Sequence, residues 1–149
     1  MIRRVTTVDA EADNAIASLG AIFYEQAGLP GKFNGDVFIG FWKKCVESGI
    51  AAQWVFEQDS AIVGTIGMLI IVSPFDGKIV AEETFWFVHP DHRGTAGLRL
   101  FMEAEMWAKA INCDAMKVGY LTNLSAEKLH AFYERRGYRA LQTQFVKQL

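Results

Sequence analysis

The sequence is poor in cysteine, has no excess of positive charge and contains no long apolar run, and each shortage removes a class of protein. Only Cys45 and Cys113 occur among 149 residues, far apart and with no CxxC spacing or Cys/His cluster. Neither a disulfide framework nor a zinc site is encoded, and both are expected to be reduced structural thiols. Lys+Arg number 15 against 17 Asp+Glu, a net charge of −2, and no basic run exceeds the pairs Arg3-Arg4, Lys43-Lys44 and Arg135-Arg136. A protein that coats nucleic acid binds by neutralising many phosphates, so nucleic acid is not an expected partner. The longest uninterrupted apolar run, residues 68–72, is far short of the ~20 residues of a membrane span. The opening MIRRVTTVDA also lacks an apolar signal core. The expectation is a soluble, cytoplasmic protein. No repeat and no low-complexity segment interrupts the chain, which excludes solenoids and linker-joined arrays.

What remains is ample core material. Hydrophobic residues make up 51% and charged residues 21% of a length that suits one domain of the typical ~100–200 residues. Residues 2–6 lean towards a strand, and Asp9 then precedes Ile16, Leu19, Phe23 and Ala27 at helical spacing. Gly28-Leu29-Pro30-Gly31 ends that helix, and Val37, Phe38, Phe41, Trp42 and Cys45 mark a second, aromatic one up to Gly49. Residues 51–58 and 61–72 read as strands joined by Asp59-Ser60, and turn chemistry at residues 73–78 leads into a third strand over 79–89. A helix striped by Leu100, Ala104, Trp107, Ala108 and Ile111 follows, then a short strand at 115–121. The crossover makes that strand parallel to its predecessor. Ser125 with Lys128 is half a capping box for a helix carrying Leu129, Phe132 and Tyr133 and ending at Gly137. Residues 138–147 read as a closing strand. The expected fold is a single α/β domain over residues 1–149, in the order βααβββαβαβ.

Chemistry concentrates at Val88-His89-Pro90-Asp91-His92-Arg93-Gly94-Thr95-Ala96-Gly97, a strand running through a glycine-bearing loop into a helix. Free backbone N–H groups and the positive end of a helix dipole suit a phosphate or pyrophosphate there, and Arg93 adds a two-pronged cation. The same glycines also serve a plain turn and close helix packing. Downstream stands Phe132-Tyr133-Glu134-Arg135-Arg136-Gly137-Tyr138. V-x-P-x-x-R-G, a helix, a strand and then F-Y-x-x-x-G-Y resembles the GNAT superfamily of N-acetyltransferases. The resemblance extends over most of the chain, including the opening strand Ile2-Arg3-Arg4-Val5-Thr6.

The resemblance implies a mixed sheet whose central strands splay apart, with acetyl-CoA as cosubstrate in the cleft and its pyrophosphate on the loop Arg93, Gly94, Thr95, Ala96, Gly97 and Leu98. This loop departs from the family's R-x-x-G-x-G/A by carrying Ala96 and Leu98 at its small-residue positions, a variant similar to that of small phage-type members. Tyr133 matches the tyrosine that protonates the departing thiolate, a fitting role for a phenol with a pKa near ~10. Backbone groups of Phe87 and Val88 correspond to the oxyanion donor, Val88 and His89 to the edge along which the pantetheine arm runs, and Asn123 to a further contact near that arm.

An amine nucleophile is protonated at neutral pH, so a base is required, and Glu82 and Glu83 are the candidates. Strict strand alternation puts Glu82 with Thr84, Trp86 and Val88, and Glu83 with Phe85 and Phe87. Either carboxylate is flanked by aromatics that would raise its pKa by desolvation. Spacing does not choose between them, and Glu83 is preferred. Tyr24, Phe33, Phe38, Phe41, Trp42 and Trp86 fall where an acceptor pocket is expected, although aromatics at helical spacing also build cores. The reading is an N-acetyltransferase using direct attack by a small-molecule or peptide amine, without metal or acyl-cysteine. The alternative is a non-catalytic acyl-CoA-binding or interaction module on the same fold. Pairing of the closing strand's edge would make a homodimer.

Overall fold

Asp9 and Asn34 start the two helices that precede the first hairpin. In the computed structural model, which describes residues 1–149, Asp9 accepts the Ala12 N–H at 3.0 Å and Asn34 accepts the Val37 N–H at 3.1 Å. Each side chain thereby satisfies an orphan donor at the N-terminus of α1 (Ala10–Ala27) or α2 (Gly35–Glu47). α1 stops where Gly28 turns left-handed at φ 62°. The opening strand β1 (Ile2–Arg4) is tied down by Arg3, which pairs with both Asp9 and Glu57.

β2 (Ala51–Gln58) and β3 (Ala61–Val72) form the hairpin read from the sequence, and Asp59 and Ser60 make its turn with φ of 51° and 63°. Two consecutive left-handed residues match the right-handed twist of the flanking strands. β4 (Ile79–Val88) completes an antiparallel run, and a short 3-10 turn at Pro90–His92 leads to α3 (Thr95–Ala110). β5 (Ala115–Lys117) and α4 (Ala126–Arg135) follow. The sheet order is β1-β2-β3-β4-β5, with β5 alone parallel to its neighbour. One face packs Ile66 and Met68 against Leu100, Phe101 and Ala104 of α3. The opposite face packs Val55 and Phe85 against Ile16 of α1 and Trp42 of α2.

A bulge in β4 decides which residues face which layer. Gly67 pairs with Phe85 and Met68 with Glu83, so Thr84 has no partner on β3. Strict alternation is broken there, and the faces expected for the two glutamates are exchanged. Glu83 lies opposite Met68 on the α3/α4 face with Trp86 and Val88, whereas Glu82 lies opposite Leu69 on the α1/α2 face with Phe85 and Phe87. Gly67 makes room for the kink, because a Cβ there would stand 2.4 Å from the Phe85 ring and 2.7 Å from that of Trp42. Gly67→Ala is therefore expected to cost about 2 kcal/mol by overpacking and to lower Tm by about 6 °C in thermal denaturation.

Two expectations fail in the last third. The strand after α3 ends at Lys117 rather than residue 121, because the chain leaves the sheet there. The closing strand over 138–147 does not form, and Phe145 and Val146 are 94% and 73% exposed. Strand propensity expresses fit to a pleated, half-buried surface, and β5 pairs over only three residues, too short an edge to recruit a partner. The edge invoked for dimer pairing is thus absent. Ser125 at the start of α4 is left-handed and makes no side-chain cap bond, so the half capping box does not operate.

Candidate active site

β4 and β5 pair only through Val80, Ala81 and Glu82. Beyond that point β5 has ended, and the edge of β4 from Glu83 to Val88 has no strand partner on that side, leaving the gap we call the cleft. Across the gap stands Gly119. Its N–H donates to Glu83 Oε2 at 3.3 Å and its carbonyl accepts the Tyr133 hydroxyl at 2.8 Å, so one residue ties together two of the sequence-predicted catalytic residues. Glu82, on the other face of the sheet, does not join them.

The surroundings of the pair are apolar. Tyr133 is buried against Trp86 and Phe101, with ring centroids 6.5 and 5.8 Å away, and Tyr120 stacks on it at 6.5 Å. Burial first, then the charges of Glu83 and Tyr138, push the Tyr133 phenol well above its usual range. The Glu83 carboxyl lies deep in the cleft, although part of the side chain reaches the surface. Burial, with a further push from Glu82 and partial relief from the Gly119 N–H, raises it to about 7 from an ordinary 4.5. A carboxylate tuned to neutrality can take a proton and release it. Cys113 is pushed the other way from activation, since burial and Asp114 raise its thiol pKa.

Main-chain parity decides which amides of β4 are free. The His89 N–H donates to the Val63 carbonyl of β3 at 2.8 Å. By the alternation of an antiparallel ladder, Phe87 also turns its N–H towards β3, whereas Trp86 and Val88 turn theirs into the cleft. Of the expected oxyanion donors, Val88 has the right orientation and Phe87 does not. His89 is also engaged through its side chain, whose Nδ1 accepts the Asp91 N–H at 3.3 Å.

The loop after β4 ends on Gly94, with φ 152°, and α3 begins without a side-chain cap. The N–H groups of Thr95, Ala96 and Gly97 find no protein acceptor. Gly97 lets the helix approach the strand, because a Cβ there would already touch Trp86 at 3.4 Å and Val88 at 3.6 Å. Ala96 is buried in the core beneath, and Leu98 is 39% exposed on the helix surface. Arg93 reaches from the loop towards α1, with Nη2 3.4 Å from Gln26 Oε1. An uncapped helix start with a neighbouring guanidinium is chemically suited to a pyrophosphate. Asn123 occupies a different role from the one expected. Its Nδ2 donates to the Ala27 carbonyl at 2.8 Å and to that of Gln26 at 3.3 Å, closing the C-terminus of α1.

On the other side of β4 lies a cavity of about 460 Å³ between α1, α2 and the sheet. Its walls carry Phe23, Phe33, Phe38, Phe41, Phe85 and Phe87. Four of the expected pocket aromatics, Tyr24, Phe33, Phe38 and Phe41, line it. Trp42 is buried beneath, against Phe85, and Trp86 faces the opposite layer. Sequence reading missed Gly119 and Tyr120. The Tyr120 hydroxyl lies 2.9 Å from His130 Nδ1, and the other nitrogen of that ring lies 3.2 Å from Glu134, which fixes the ring stacked on Tyr133. The only sequence signal for them was the short V-G-Y run after the strand, which carries no spacing rule.

Comparison with known proteins agrees with this geometry. A family model described as the acetyltransferase (GNAT) family matches residues 21–138. No curated protein sequence matches the chain. Among solved structures, the chain is similar to a ribosomal-protein-alanine N-acetyltransferase from Brucella melitensis biovar Abortus 2308, with a TM-score of 0.74, 18% identity and coverage of 100% of this chain and 98% of that one. It is similar to a predicted acetyltransferase with acetyl-CoA from Clostridium acetobutylicum, with a TM-score of 0.77, 14% identity and coverage of 99% and 95%. An aminoglycoside acetyltransferase from an uncultured soil metagenomic sample gives a TM-score of 0.75, 15% identity and coverage of 100% and 97%. At such identities these likenesses are of fold, and the family follows from the match that spans most of the sequence: the chain belongs to the GNAT acetyltransferase family.

Proposed function

We propose that this protein is an acetyl-CoA-dependent N-acetyltransferase that passes the acetyl group directly to a primary amine. The observation that supports it best is Gly119, whose main chain holds a neutral-range Glu83 of β4 and a protonated Tyr133 of α4 side by side. Acetyl-CoA fits the residues present. The uncapped start of α3 and Arg93 would hold its pyrophosphate, and the outward main-chain groups of Trp86 and Val88 would pair with its pantetheine arm.

In this reading Glu83 takes a proton from the incoming ammonium, leaving a free amine to attack the thioester carbonyl. The N–C bond forms as the C–S bond breaks, the nitrogen releases its second proton to solvent, and the Val88 N–H donates to the carbonyl oxygen as it gains charge. The Tyr133 hydroxyl turns from the Gly119 carbonyl towards the sulfur and donates to the thiolate as it departs. Its raised pKa makes complete transfer uphill, so its main contribution is a hydrogen bond in an apolar site, with the proton finally supplied through solvent. The products are the amide, CoA thiol and one proton.

The test is a thermal-shift titration with acetyl-CoA followed by amine-dependent thiol release. Binding to the folded state raises Tm. Arg93→Ala is expected to weaken acetyl-CoA about tenfold through loss of a charge-assisted contact. The weakening should shrink at high salt, because the guanidinium is exposed. A shift with no release from any amine would identify a binding module. No shift at all would remove the donor assignment.

A further inference from the structure

The geometry points to an acceptor whose amine is carried on a single bulky aromatic body, an arylalkylamine or aromatic α-amino acid, rather than a polyamine or an aminosugar. The inference rests on the acetyltransferase reading and deepens it. The cavity beside β4 belongs to the acceptor because part of its wall is Thr84, Phe85 and Phe87, the stretch of β4 left unpaired by β5 and continuous with Glu83. An amine entering along Thr84 would meet the cleft edge with its body still held between α1 and α2.

The polar inventory of the walls selects the body. The Tyr24 hydroxyl is spent on the Pro30 carbonyl, Thr65 Oγ1 donates to the Trp54 carbonyl at 3.0 Å, and Asn34 Oδ1 is held by the Val37 N–H. Of the polar side chains in the wall, Thr84, Lys32 and the amide nitrogen of Asn34 remain free, and no Asp or Glu is among the 15 lining residues. A second ammonium would find no counter-charge, and the many hydroxyls of an aminosugar would lose water with only three free side chains to meet them. A phenyl or indole ring, by contrast, meets six phenylalanine rings in edge and tilted arrangements of the kind aromatic pairs prefer. The volume of about 460 Å³ lies within the usual range for small-molecule pockets. Lys32, exposed at the mouth and in none of the ion pairs, offers a site for a carboxylate and so separates the two sources of such an amine.

The experiment measures kcat/KM with acetyl-CoA for phenethylamine, tryptamine, phenylalanine, tryptophan, spermidine and kanamycin, and thiol release with octanoyl-CoA in place of acetyl-CoA. The aromatic amines are expected to exceed spermidine and kanamycin by about 100-fold, the scale set when buried polar groups go unpaired. Phe41→Ala and Val37→Glu change exposed faces of α2, 47% and 67% accessible, and keep the fold. Each should lower kcat/KM for the aromatic amines about tenfold while KM for acetyl-CoA stays constant. Lys32→Ala should lower it for the amino acids alone if the acceptor bears a carboxylate, and for neither if it is a plain arylalkylamine. Equal or better turnover of spermidine or kanamycin would overturn the inference. So would octanoyl transfer that is impaired by Phe41→Ala while aromatic amines are inert, which would make the cavity an acyl-chain site. In both of those cases acetyl-CoA still raises Tm. If it does not, the acetyltransferase reading has failed first and the inference falls with it.

Discussion

Glu83→Gln should lower kcat/KM at pH 8 by about 10²–10³, the usual contribution of a positioned general base. At the same pH it should make the protein more stable. Both effects have one cause. The carboxyl is held at about 7 against an ordinary 4.5, chiefly by burial, so the folded state binds its proton more tightly than the unfolded chain does. Between those two values the folded protein carries more protons, and stability must fall as pH rises. Above pH 7 the cost of the buried charge is complete, at most about 3 kcal/mol from the size of the shift. The amide of Gln carries no charge, keeps an oxygen for the Gly119 N–H and escapes that cost. Urea denaturation should therefore show the variant ahead of the parent at pH 8 and level with it near pH 4.5. The parent's kcat/KM should rise with pH through about 7 as the base is freed, and Glu82→Gln should move that rise to lower pH because Glu82 adds to the upward shift. A Glu83→Gln variant with parental turnover would remove Glu83 as the base.

The choice between the two glutamates was not legible in the sequence, and the reason is local. Glu82-Glu83-Thr84-Phe85-Trp86-Phe87 reads as unbroken alternation, and a one-residue slip moves each side chain to the other face. The slip occurs at Thr84, and the room for it is made across the ladder at Gly67. That is a long-range pairing no window on β4 contains. By contrast, the hairpin of β2 and β3 was readable to its ends, since two well-patterned strands flank Asp59-Ser60. The start of α3 was readable too, because glycine followed by an apolar stripe is a local signal. The segment after Gly137 shows the opposite failure: its Phe145 and Val146 favour strand, yet strand requires an edge, and β5 is too short to be one. Asn123 read from the sequence as a contact near the pantetheine arm, and only tertiary structure shows its amide closing α1.

Tyr133→Phe should lower kcat about 10–100-fold and leave both KM values nearly unchanged, since the hydroxyl acts on charge that develops only as the C–S bond breaks. Folding should suffer little. The ring stays packed among Trp86, Phe101 and Phe132, and the loss is one hydrogen bond to the Gly119 carbonyl, about 1 kcal/mol. The solvent isotope effect on kcat should shrink with the hydroxyl gone, which a packing defect alone would not produce. A sharper test combines the two changes. Gly119 gives its N–H to Glu83 and accepts from Tyr133, so Tyr133→Phe frees one side of the residue that positions Glu83, while Glu83→Gln weakens the hold on its other side by replacing a carboxylate with a neutral amide oxygen. The double variant should then lose less than the product of the single losses, because groups that share a partner are coupled. Strict multiplication would mean that Gly119 is a bystander and that the two side chains work independently. Parental kcat in Tyr133→Phe would mean that the thiolate leaves without help from this hydroxyl. The acid would then have to be sought at Tyr120, whose hydroxyl is held by His130 on the neighbouring wall of the cleft.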